Sequence, residues 1–195
     1  MTLRERITSE EVNALPLKAY TGKIVLIDRE EAIEEAISEI EKYEVVGFDT
    51  ESKPSFQKGE FHHVSLLQFA IPGKVFLFRI NITGLTKRIC SLLENPGVIK
   101  LGVALHDDII DLKKLGKFSP KGFKDIHSFI KKHGVVNSGL RKLTAMILGF
   151  RISKSQQTSN WENPVLSHSQ KVYAATDAWV CLKMYKKLSE LGITD

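Results

Sequence analysis

Two spacings of apolar residues divide this chain. Residues 23–28 form a short β-branched run, and within residues 31–43 Ala32, Ile33, Ala36, Ile37 and Ile40 recur at the interval of one helix face. Asp28, with Glu31 three positions on, fits the opening of that helix. Three strand-like runs follow at residues 44–50, 63–70 and 74–80, with Pro72-Gly73 marking a turn between the last two, so a meander of consecutive strands is expected. The pattern then alternates: a helix over residues 85–93, a strand over 98–103 and a helix over 105–115. From Gly122 onward a mainly helical chain is expected, with helices over 126–133, 140–148 and 168–191; the last opens with a Ser167/Gln170 capping box and Leu166 as a hydrophobic staple. Residues 1–22 show no clear periodicity and read as an N-terminal arm or edge element, which leaves residues 23–195 as a single domain. Together these elements predict an α/β fold, with a mixed sheet flanked by helices and a helical C-terminal half.

Composition narrows the classes of protein this can be. With 195 residues, 43% of them hydrophobic, the chain carries enough apolar material for one substantial core. No segment reaches the roughly 18 to 20 uninterrupted apolar residues of a membrane span, and no secretory apolar region follows the N-terminus. A soluble cytoplasmic protein without a membrane partner is expected, with a nuclear location as the alternative left open. Cys90 and Cys181 lie far apart with no ligand spacing around them, so buried reduced thiols are expected rather than zinc or a disulfide. The net charge of +5 is unevenly placed: residues 111–155 hold eleven lysines and arginines against Asp111 and Asp125 alone. Such a surplus fits solvated helix faces, and it also fits an electrostatic footprint for phosphates.

Carboxylates stand where a core should be apolar. The strand Val45-Val46-Gly47-Phe48-Asp49-Thr50-Glu51 ends in two acids that alternation places on one side, roughly 7 Å apart at their Cα atoms. A second Asp-x-Glu, Asp28-Arg29-Glu30, sits at a helix start, where acids favour the dipole without further purpose. In the last helix Tyr173, Asp177, Val180, Met184 and Leu188 form one stripe, so Asp177 lies on an otherwise apolar face. Ala174, Ala175 and Ala178 keep the surface beside it small enough for close approach to a sheet. In the helix over 105–115, Asp108 groups with Leu105 and Leu112 on the inward side, while Asp107 joins Asp111 and Lys114 on the polar side. Buried acids need a partner, which can be a backbone amide, a buried arginine or a hard divalent cation. Four inward acids in a basic protein favour the cation, with a polyanion meeting it there.

Three blocks carry a family resemblance: Val46-Gly47-Phe48-Asp49-Thr50-Glu51; Gly102-Val103 with Asp108 six residues after the glycine and Leu112 beyond it; and Tyr173-Ala174-Ala175-Thr176-Asp177-Ala178. In order and spacing they resemble the DEDD 3'-5' exonucleases of the DnaQ-like superfamily, on the RNase D and Werner-exonuclease side. Val64-Ser65-Leu66-Leu67-Gln68 and Asn160-Trp161 ahead of Leu166-Ser167 extend the likeness, which covers residues 23–191. Ile110 stands where Werner-type domains carry an aromatic residue.

The resemblance implies an RNase H-like fold and a pair of Mg²⁺ or Mn²⁺ ions. It implies Asp49, Glu51 and Asp177 on the first ion, Asp49 and Asp108 on the second, and Tyr173 against the nucleophilic water, the DEDDy pattern. The activity implied is hydrolysis of the 3'-terminal phosphodiester of single-stranded or frayed DNA or RNA, with release of 5'-mononucleotides; the Werner-like blocks lean towards DNA. Thr50, Lys113, Arg141 and Lys142 are the substrate-binding residues expected beside these. Any helicase, repair or RNA-processing partner would be a separate polypeptide. Two other readings stand beside this one: a nucleic-acid-binding module of the same fold with weak or lost catalysis, and an RNase H-like endonuclease, which shares the acids but does not require Tyr173.

Overall fold

The structure is a computed structural model and describes residues 3–57, 59–136 and 139–194. Its six strands are β1 (Lys23–Ile27), β2 (Val45–Ser52), β3 (Val64–Ile71), β4 (Lys74–Phe78), β5 (Ile99–Gly102) and β6 (Phe123–Asp125), in spatial order β1-β4-β3-β2-β5-β6. β2, β3 and β4 form the antiparallel meander expected from their spacing, while β1 joins β4, β5 joins β2 and β6 joins β5 in parallel. The sheet is therefore mixed. β3 is buried along its whole length because both faces are covered, which explains its nearly continuous apolar run.

Among the described residues eight α-helices surround it: α1 (Ser9–Ala14), α2 (Ile33–Ile40), α3 (Ile80–Thr83), α4 (Lys87–Glu94), α5 (His106–Leu115), α6 (Ile126–Ile130), α7 (Leu140–Leu148) and α8 (His168–Glu190). On one face Ile37, Ile40, Ile89 and Leu92 of α2 and α4 pack with Phe48, Phe69 and Phe78. On the other, Ala174, Ala175 and Ala178 of α8 pack with Leu66, Ala70 and Leu77. Full burial of each large side chain contributes about 1.5–3 kcal/mol, so these two layers account for much of the fold's stability. α8 begins as its sequence predicts: Ser167 and Gln170 exchange both capping hydrogen bonds, and Leu166 is buried beneath them.

Several expectations are corrected. The segment over 31–43 opens through a 3-10 turn at Glu30–Ala32 with no side-chain cap, so Asp28 does not serve as one. The stretch from Gly122 is mainly helical as expected, but it opens with β6, a short edge strand that the spacing does not predict. The segment 74–80 ends its strand at Phe78, and Ile80 starts α3. Cys181 is buried, but Cys90 is only partly so, and both are free. Residues before 23 contain α1, capped by a Thr8/Glu11 box, with Val12 and Ile7 buried against Ala145. No helix among the described residues is long and apolar enough to cross a membrane.

Candidate active site

β2 carries Asp49 and Glu51 towards α8, opposite Gln68 and Leu66 of β3. The ladder shifts register between Glu51 and Ser52, and irregularities of this kind re-aim side chains at strand ends. α8 crosses at Gly47, where an added β-carbon would stand 1.9 Å from the Ala178 carbonyl oxygen. That absence of a side chain, with the alanines of α8, lowers Asp177 onto the two strand acids. One carboxylate oxygen from each of Asp49, Glu51 and Asp177 then lies within 4.8 Å of the others.

Asp108 arrives from α5, near these three but not within their group. Gly102 allows the turn: a β-carbon there would meet Leu105 Cδ2 at 2.3 Å and the Phe48 carbonyl at 2.9 Å. Ala104 next takes φ 60°, a left-handed conformation costly for a residue with a side chain, and Leu105 N–H donates to Asp125 at 3.2 Å. The hydroxyl of Thr50, which points to the opposite side of β2 from Asp49 and Glu51, donates to the Asp108 carboxylate.

The electrostatics are those of crowded, uncompensated negative charge. Burial, followed by the charges of Asp177 and Asp108, pushes Asp49 well above the usual carboxylate range. Burial and the same neighbours, Asp49 first, raise Glu51 to about 10. Asp177 rises to about 8 through burial, opposed by its hydrogen bond with Tyr173. Asp108 is raised by burial, and the Thr50 hydroxyl pulls it back. Among the described residues no lysine, arginine or histidine pairs with any of the four. An all-oxygen set without a protein cation fits a hard divalent ion such as Mg²⁺ or Mn²⁺.

Tyr173 stands one turn before Asp177, with its ring centroid 6.0 Å from that of Trp161. Burial, then the charges of Asp177, Glu51 and Asp49, pushes its phenol above the ordinary tyrosine range. The phenol thus stays protonated and can donate a hydrogen bond.

The four residues expected at the substrate lie in different surroundings. Thr50 is engaged with Asp108. Lys113 lines a separate cavity with Glu94 and Lys117, away from the acids. Arg141 lines the cavity at Tyr173 and Asp177, but its guanidinium donates to the Ile152 carbonyl and to Asn13 Oδ1. Lys142 lines the same cavity and is exposed. The basic surplus of residues 111–155 is dispersed: Lys114 pairs with Asp111 and lies over Phe61, and Arg151 donates to the Leu15 carbonyl. Composition and periodicity do not signal Ala104 or the Tyr20 N–H bond to Thr176 Oγ1, which ties the N-terminal segment to the residue beside Asp177. Gly47 and Gly102 belong to the family blocks, yet the sequence around them carries no hint of the close approaches they permit.

Residues 24–192 match the 3'-5' exonuclease family. The chain belongs to that family. Among its relatives is the mouse bifunctional 3'-5' exonuclease/ATP-dependent helicase WRN, 34% identical over 163 residues, covering 77% of this chain and 11% of the relative. Another is the human exonuclease mut-7 homolog, 29% identical over 177 residues, covering 75% of this chain and 20% of the relative. The chain therefore spans about a fifth or less of the length of these exonucleases. In fold it is similar to the Aedes aegypti Nibbler EXO domain, with a TM-score of 0.78 at 24% identity over 92% of this chain and 95% of that one. Escherichia coli RNase D gives 0.76 at 18% identity, covering 87% of this chain and 46% of that one. The exonuclease fold of these neighbours is RNase H-like, the same mixed sheet with flanking helices.

Proposed function

We propose that this exonuclease-family chain is an active, metal-dependent 3'-5' exonuclease that removes 5'-mononucleotides from single-stranded or frayed 3' ends, DNA first and RNA as the alternative. The observation that carries this reading is the convergence of Asp49, Glu51 and Asp177, with no cation of the protein among them, beside Tyr173. Asp49, Glu51 and Asp177 would hold one divalent ion, and Asp49 with Asp108 the second. Ions at such a site supply Lewis-acid activation of water and of the departing oxygen in an in-line displacement. In that displacement the water oxygen bonds to phosphorus, the bond to the 3'-oxygen breaks, and a proton goes to that oxygen. Tyr173, kept protonated, orients the water by hydrogen bonding rather than abstracting its proton. Thr50 acts through Asp108, holding its carboxylate in place. Lys142 at the cavity contacts substrate phosphate, and Arg141 shapes the wall through Asn13 and Ile152.

Residues 23–195 form the exonuclease domain in this reading, with the preceding segment added to it. The related RNase D of Trypanosoma brucei is described in complex with RNA U12, which keeps RNA open as a substrate here. The test is a matched pair of oligonucleotides labelled at the 3' or the 5' end, incubated with Mg²⁺, Mn²⁺ or EDTA. Mononucleotides from the 3' label and a descending ladder from the 5' label are expected with metal and absent with EDTA. Stable retention of the intact strand would instead make the chain a binding module, and internal cuts would make it an endonuclease.

A further inference from the structure

Two cavities meet at Tyr173 and Asp177, and both have a wall made by residues that precede the family match. The first, about 410 Å³, runs outward past Ser9 and Val12 of α1 on one side and Lys142, Ser153 and Lys154 on the other. The second, about 220 Å³, lies between Lys18 and Ala19 and the Ser155, Val172 and Thr176 side. The first has the size of a small-ligand site and suits a nucleotide-sized group. A third opening at the acids themselves shares Gly139, Leu140, Gln157, Tyr173 and Asp177 with the first, so the two adjoin along one wall.

The N-terminal wall is built in. Tyr20 N–H donates to Thr176 Oγ1 at 2.9 Å, Lys18 N–H donates to the Arg151 carbonyl at 2.9 Å, and Arg151 N–H donates to the Pro16 carbonyl at 3.0 Å. Leu17 and Arg151 form a parallel bridge, and Arg141 reaches Asn13 at 2.7 Å. Val12 is 1% exposed, so α1 cannot swing away without uncovering it. Charge is complementary to a strand of phosphates: Lys142 and Lys154 are exposed on the rim and take part in no ion pair among the described residues, while the acids lie at the inner end.

The geometry points to the Ser9–Ala19 segment, with Lys142 and Lys154 facing it, as a polynucleotide-binding channel that leads a single strand into the acid site. This deepens the proposed function and rests on it for the direction of the strand. The ligand is the sugar-phosphate backbone, common to DNA and RNA. The segment contributes the wall and the two lysines contribute the phosphate contacts.

The experiment is equilibrium binding of 5'-fluorescein-labelled dT12 and rU12 in EDTA, across 50–200 mM KCl, where no hydrolysis interferes. K142E and K154E should each weaken binding about five- to tenfold and flatten the dependence of log K on log salt by about 0.7 for each phosphate no longer neutralised. K42E, in the turn after α2, and K87E, at the start of α4, both in the opposite layer, should match wild type. For the wall itself, S9K and E10Q change the charge equally, by one unit. S9K, inside the cavity, should tighten binding about threefold, and E10Q should leave it unchanged. Thermal melting confirms that each variant is folded; should S9K melt early, S9E in its place is expected to weaken binding. This pattern on either probe supports the channel. Equal effects of S9K and E10Q, or of the rim and opposite-layer lysines, overturn it. Wild-type hydrolysis with Mg²⁺ is read separately, so an inactive protein that keeps the binding pattern loses the nuclease reading and retains the channel.

Discussion

A β-carbon on Gly47 would stand 1.9 Å from the carbonyl oxygen of Ala178, so β2 and α8 touch backbone to backbone where the acid site is built. The obstacle is main chain, which cannot rotate aside as a flexible side chain can. G47A should therefore lose about 3 kcal/mol of stability, at the upper end of ordinary overpacking. It should also weaken Mn²⁺ binding at least about tenfold as Asp177 moves off the strand acids, since such sites tolerate only about 0.5 Å of displacement. Urea unfolding and calorimetric titration check both, and a fully stable G47A with unchanged Mn²⁺ affinity would refute the role of this close approach.

Asp49→Asn and Asp177→Asn should each lower hydrolysis on the order of 10³-fold, corresponding to about 4 kcal/mol of transition-state stabilisation. Folding should persist, because amides are nearly isosteric and these acids form no ion pair among the described residues. Tyr173→Phe should cost less, within the roughly 10²- to 10⁴-fold range of a positioned proton donor and towards its lower end. Rates on a 3'-labelled strand, with circular dichroism for the fold, decide the matter.

Without metal, the acid site should make the protein less stable as pH rises. Asp177 is raised to about 8 and Glu51 to about 10 in the folded state, so folded protein binds more protons than unfolded protein above the ordinary carboxylate values. Their stabilising contribution is fully present below about pH 4 and is lost as pH climbs through about 8 and then about 10. In EDTA, Asp177→Asn should thus gain in melting temperature relative to wild type between about pH 5 and 9. Saturating Mg²⁺ should raise the wild-type melting temperature most at the alkaline end. A wild-type to variant difference flat in pH would count against the crowded-charge description.

Lys100 supplies a test of opposite sign. It is fully buried, donates to the Leu92 and Asn95 carbonyls at 3.1 and 2.8 Å, and is lowered by burial to about 8. The unfolded chain then binds more protons between about pH 8 and the ordinary lysine value, so stability rises with pH across that window. The stability of wild type relative to Lys100→Met should accordingly increase from about pH 8 to 10, measured by urea unfolding.

Thr50→Val keeps the shape of the side chain but removes the donor to Asp108. A loss of about 1 kcal/mol is expected, with Thr50→Ser restoring it. If the hydroxyl positions Asp108, the valine variant should also need more Mn²⁺ for half-maximal hydrolysis, a shift that simple destabilisation would not produce.

By itself, the sequence determined the strand ending in Asp49 and Glu51, the capped final helix with Asp177 on its apolar stripe, and the inward side of α5 that bears Asp108. All three are local periodicities, written by the pleat of a strand or the turn of a helix. Tertiary structure decided the rest. β6 is three residues long, too short to leave a period, and exists because β5 offers its free edge. Thr50 donates to Asp108, 58 positions away, a pairing no local spacing announces. Residues 1–22 show no pattern because α1 is a six-residue helix with a single buried position, Val12; it is held by Arg141 and Ala145, and the stretch after it by bonds to Arg151 and Thr176. Contacts between distant segments leave no spacing in the chain, so the depth of the acid site and the wall of its channel exist only once the layers are packed.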